Sequence, residues 1–184
     1  MIALLLTLAL GQSPCRDSAD VIAAARERAS RFDLQGASLG LAFDLSGCTD
    51  TTVAYWYVRG VLAAREAYRY GGSPESLEPV RAAISQLAPR VTETRVAEIA
   101  TLLLRAASSA AQSERDEMGL LLEHAIELER QQRAAGLPGA PVISAQELAG
   151  DLWLQVHRFE DARRTYLDAS QQERPTRRVT LGLA

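Results

Sequence analysis

The sequence predicts an all-α protein built from antiparallel helix pairs, and three observations carry that prediction. Apolar and small residues recur at helical spacing from Asp17 onward, with very few strand-like alternations. Gly, Pro and Ser positions punctuate this pattern and divide it into pairs of segments. The stretch Leu148 to Pro175, LAGDLWLQVHRFEDARRTYLDASQQERP, reads as two amphipathic helices joined by a tight turn, neither of which can bury its apolar face alone.

The chain has 184 residues, of which 47% are hydrophobic, enough for one domain with a continuous core. Its formal charge of -3 comes from 23 acidic and 20 basic residues spread through every segment, so no basic stripe is available to a nucleic acid. Every basic residue is Arg, and Lys and Asn are absent. An anion site must therefore use guanidinium or backbone amides, and a lysine Schiff base is excluded.

The amino terminus MIALLLTLALGQSPC carries an apolar run from Ile2 to Leu10 followed by small and turn-forming residues. It reads as an export signal, residues 1–11, cleaved after Gly11, with Ala9 and Gly11 as the small residues before the cut. The run is too short for the roughly 20 helical residues that span a bilayer. Pro14 stands where a lipidation signal wants Gly or Ala, which argues against Cys15 as a lipid anchor.

In the mature chain, from about Gln12, Ser18 caps a first helix reaching about Phe32, with Val21, Ile22, Ala25 and Ala29 inward. A second follows from about Leu34 to Ser46. An antiparallel hairpin of two such helices, each roughly 20 Å long, brings Cys15 and Cys48 to the same end. In an oxidising compartment a Cys15–Cys48 disulfide would contribute about 3 to 4 kcal/mol, the alternative being two unrelated buried thiols.

The third helix, from Thr51 or Thr52 to about Tyr70, carries Tyr55, Trp56, Tyr57, Tyr68 and Tyr70, read as core filling rather than as a ligand platform. Gly60 within it costs up to about 1 kcal/mol in propensity and therefore marks the close approach of another helix. Ser73 and Pro74 read as the start of a fourth helix ending near Leu87 before Pro89. A fifth (Glu93 to Ala110) and a sixth (Ser113 to Ala135) have broad apolar faces, as helices with neighbours on two sides require. GLPGAP, residues 136–141, is the longest loop and the expected flexible point. Ser144 and Glu147 form a capping-box pattern, Ser-x-x-Glu, ahead of the paired helices. After Pro175 the chain opens one further helix with an apolar end at Leu181, Leu183 and Ala184, which suggests truncation or docking and self-association through that helix.

On Gly150, Trp153, Phe159, Ala162, Tyr166 and Ala169 the stretch from Leu148 to Pro175 resembles the tetratricopeptide repeat, from which Ala149, His157 and Pro175 depart. The resemblance implies a tetratricopeptide-like α-solenoid over residues 12–184, with eight helices and a partial ninth. It also implies a concave groove, lined by the first helix of each pair, that holds a segment of another protein. On the last repeat the groove positions would be Ser144, Glu147, Asp151, Leu154 and Gln155. This acidic, partly apolar patch suits a basic or amphipathic partner segment.

Catalytic signatures are missing from the sequence: it contains no Gly-rich phosphate loop, Cys-x-x-Cys, His-Glu-x-x-His or Gly-x-Ser-x-Gly. His124 and Glu127 share a helical face but reverse the usual Glu-then-His order of bundle metal sites, and a solvated face accounts for them. The expectation is thus a non-catalytic interaction or scaffold module of a bacterial envelope, periplasmic or secreted, without cofactor, metal, nucleic acid or membrane span. The alternative is a small-molecule- or metal-binding helical bundle, or an enzyme, using the Tyr55 to Tyr70 aromatics or His124 and Glu127.

Overall fold

The computed structural model describes residues 18–42, 48–172 and 176–184. Among them are nine α-helices, a short 3-10 turn at Ala88–Arg90 and no strand. The helices are α1 (Ser18–Ser30), α2 (Leu34–Ala42), α3 (Thr49–Arg69), α4 (Glu78–Leu87), α5 (Arg95–Ala111), α6 (Arg115–Ala134), α7 (Ala145–Gln155), α8 (Phe159–Gln172) and α9 (Arg177–Gly182). No helix among the described residues is long and apolar enough to cross a membrane. The expected signal at residues 1–11 and Cys15 lie outside the described residues. Cys48 is buried immediately before α3.

Local chemistry sets the boundaries. The Ser144 hydroxyl accepts the Glu147 N–H at 3.2 Å while the Glu147 carboxylate accepts the Ser144 N–H, completing the capping box that starts α7. Thr94 caps α5 by accepting from the Val96 N–H. The fourth helix begins later than Ser73 suggests. Pro79 has no N–H and its ring would crowd the Glu75 carbonyl in a continuous helix, so 74–77 form turns and α4 starts at Glu78. Ser73 caps that turn, accepting from the Ser76 N–H at 3.2 Å.

Packing follows chain order. Each helix packs on its successor, and α1 also packs on α3, α3 on α5, α5 on α7 and α7 on α9. Most of the apolar interior is one cluster reaching from Ala25 to Val156, joined through Trp153 to a smaller one of Ala162, Tyr166, Ala169 and Val179. Gly60 sits where expected: an added Cβ would lie 2.5 Å from Leu104 Cδ1 on α5. Tyr57 is buried, and Tyr55, Trp56 and Tyr68 pack against the core, whereas Tyr70 is 71% exposed past the end of α3. Phe159, one of the positions that carry the repeat resemblance, is 61% exposed because it occupies the first position of the helix, before the packed face of Ala162 and Tyr166 begins.

Candidate functional site

The polar centre of the molecule lies where α3 faces α7. The Tyr57 hydroxyl donates to the Ile143 carbonyl at 3.0 Å, the Tyr68 hydroxyl donates to the Gln155 carbonyl at 2.6 Å, and Arg65 Nη2 lies 2.7 Å from Asp151 Oδ2. These three pairs advance together along both helices, so α3 and α7 run alongside each other in the same direction.

Asp151 is the hub of this region. Its Oδ2 takes both Arg65 and Arg178, and its Oδ1 accepts the Tyr166 hydroxyl at 2.6 Å. Arg178 comes from α9 and is 1% exposed. Its second terminal nitrogen donates to the Ala29 carbonyl of α1 at 2.9 Å, and its guanidinium lies over the Phe32 ring at 4.6 Å. Burial pushes the Arg65 pKa down from its ordinary value, against the pull of Asp151. Burial, and then the nearby carboxylate of Asp151, push the Tyr166 hydroxyl well up, and burial does the same to Tyr57.

The five expected groove positions are therefore deployed differently from an open groove. Glu147 is 9% exposed, and besides its capping box it accepts the Thr176 hydroxyl. Asp151 is saturated by three internal donors. Asp151, Leu154 and Gln155 together line a crevice of about 160 Å³ with Phe32, Val61 and Arg65. Ser144 and Glu147 instead border a larger cleft of about 640 Å³ between α1 and the loop before α7.

That loop is pinned down instead of flexible. Glu129, only 3% exposed on α6, accepts the Ala140 N–H at 2.7 Å and the Ala145 N–H at 2.8 Å, with Arg133 3.2 Å from its carboxylate. Arg26 Nε donates to the Pro141 carbonyl at 3.1 Å from the opposite side. A Cβ at Gly139 would lie 2.5 Å from Glu129 Oε1, which is why the loop can lie so close to this carboxylate.

Sequence reasoning missed Arg65, Glu129 and Arg178 because groups that each of them meets lie on other elements of the chain. An available signal was the adjacent pair Arg177 and Arg178 beside the apolar Val179. His124 is exposed, and Glu127 is engaged by Arg130 and Gln131, both at 2.7 Å, which pull its carboxyl down to about 2. Among the described residues no three His, Cys, Asp or Glu side chains are grouped to hold a metal ion.

Fold and site together define an all-α protein of short paired helices whose central polar face is closed by its own arginines. No protein-family model matches the chain, and comparisons with curated proteins and with solved structures give no match either.

Proposed function

We propose that this chain is a non-catalytic, exported interaction module of a bacterial envelope, its helix pairs stacked in the tetratricopeptide manner. Support for the stack comes from the packing order, in which α1, α3, α5, α7 and α9 succeed one another while each also packs on the intervening helix. The proposed site is the cleft of about 640 Å³, in which Glu147 takes part at the edge. That cleft is the observation carrying the reading. Ile22, Val96 and Val142 give it an apolar floor, while Arg26, Asp50 and Arg133 supply both signs of charge, a lining suited to an amphipathic extended segment. The Cys15–Cys48 bridge and the cleaved signal belong to the same proposal, since both require export.

Two experiments test it. A photo-crosslinking residue at exposed Ala19, on the cleft rim, is expected to give a discrete adduct in envelope extract of the source organism, absent when the probe replaces exposed Glu160. Equal labelling at both positions would refute the cleft as the site. The intact mass of the mature protein should lack residues 1–11 and the two thiol hydrogens; a species retaining Met1 would refute export by this signal.

A further inference from the structure

Arg178 is held in the way a guest cation is held. Its guanidinium meets the Asp151 carboxylate, the Ala29 carbonyl at 2.9 Å and the Phe32 ring, whose centre lies 4.6 Å away. All three partners belong to distant parts of the chain. Phe32 completes this cage at φ 66°, in the left-handed region that strains a bulky residue, and such strain persists where the surroundings hold a residue in a required position.

The same wall reads the rest of α9 position by position. The Thr176 hydroxyl donates to the Glu147 carboxylate, and Val179, 2% exposed, enters the apolar cluster of Ala162, Tyr166 and Ala169. A Cβ at Gly182 would run into one edge of the Tyr166 ring, as a Cβ at Gly150 of α7 would on the other edge. Arg177, Thr180 and Leu181 point outward and are exposed. Six residues with two buried side chains are far below the roughly 12 that hold a helix in water, so it is the pocket that orders α9. The pocket itself stays built without the helix. Asp151 keeps Arg65 and Tyr166, and Glu147 keeps its capping box.

We propose that the wall around Asp151 and Glu147 is a recognition site for an arginine-bearing helical segment, Thr-x-Arg-Val-x-x-Gly, filled in cis by α9 and open in trans to the α9 of a second copy. Every copy carries the same segment, so the trans arrangement reuses each contact and needs no new interface. The inference does not depend on what the larger cleft holds.

Calorimetric titration with an acetylated peptide of residues 176–184 tests it. The receptors are two full-length variants whose own α9 cannot seat. One carries Arg178→Ala with Val179→Asp, the other Arg178→Ala with Gly182→Leu, and both leave the surfaces of α1, α3, α7 and α8 intact. Each should bind the peptide saturably with Kd of about 1 mM or tighter. The peptide bearing Arg178→Ala should bind at least about tenfold more weakly, whereas the one bearing Arg177→Ala, of equal net charge, should stay within about twofold. The wild-type chain should bind at least about tenfold more weakly, because its own segment competes at an effective concentration in the mM range. Absence of saturable binding, equal affinity for the two alanine peptides, or equal binding by the wild-type chain would overturn the proposal. So would loss of the helical circular dichroism in both variants, which would make α9 an integral part of the fold and not a guest.

Discussion

Removing Asp151 should be far more damaging than removing either arginine it holds, and the ranking follows from burial. In Asp151→Ala the guanidinium of Arg178, 1% exposed, keeps only the Ala29 carbonyl and the Phe32 ring, while Arg65 loses its carboxylate and Tyr166 its acceptor. Breaking a buried pair in this way costs about 3 to 5 kcal/mol, and two cations released together place the loss at about 5 kcal/mol. Arg178→Ala leaves Asp151 still paired with Arg65 and Tyr166, so no lone charge remains. Its cost is the lost bond to the Ala29 carbonyl, which keeps the Phe32 N–H, and the lost packing on Phe32, about 2 kcal/mol. Arg65 is one-third exposed, and Arg65→Ala leaves Asp151 paired with the more buried arginine, for a loss of about 1 kcal/mol. Urea unfolding at neutral pH, followed by circular dichroism and tryptophan fluorescence, measures all three. Equal losses for Asp151→Ala and Arg65→Ala, or a loss below about 1 kcal/mol for Arg178→Ala, would refute the assignment of Asp151 as the hub.

Three further outcomes are expected. Gly60→Leu should destabilise the protein by about 1 to 3 kcal/mol by forcing α3 away from Leu104, measured as a lower urea midpoint with the slope unchanged. Glu129→Ala should cost about 3 kcal/mol by orphaning the Ala140 and Ala145 amides, and should speed proteolytic cleavage within residues 136–141, with Glu129→Gln intermediate in both. Burial holds the protons of Tyr57 and Tyr166 above the ordinary value of 10.0, so their contribution is complete below pH 10 and lost as pH rises beyond it. Each should add about 1.4 kcal/mol of lost stability per pH unit between about pH 10 and 11.5, and Tyr166→Phe should remove about half of the combined slope; an unchanged slope would contradict the burial argument.

The elements legible in the sequence were those set by neighbours within a few residues. Ser144 and Glu147 announced their capping box, Gly60 announced a close approach, and the broad stripes on α5 and α6 announced helices covered on two sides. What could not be read was which charged side chain meets which across the molecule. Asp151 looks like an accessible acid on α7 because nothing within one helical turn neutralises it; its partners Arg65 and Arg178 lie on α3 and α9. Glu129 lies one helical turn from Arg133, and its role on the loop appears only when α7 folds back over α6. The loop itself misled for the same reason, since Gly and Pro content says how a backbone can turn and nothing about what then holds it.

The hydrogen bonds across α3 and α7 join residues 86 and 87 positions apart, and the bond from Arg178 to Ala29 spans 149. Such distances have a bearing on how a chain of this kind can change over evolution. A protein held together by contacts between adjacent repeats alone can gain or lose a unit and keep every interface. Here an extra helix pair placed between α3 and α7 would carry Asp151 out of reach of Arg65 and the Ile143 carbonyl out of reach of Tyr57. The same bonds delay assembly, because the amino-terminal half must wait for α7 and α9 before Arg65 meets Asp151 and Arg178 reaches the Ala29 carbonyl. Length, in this architecture, is fixed from within.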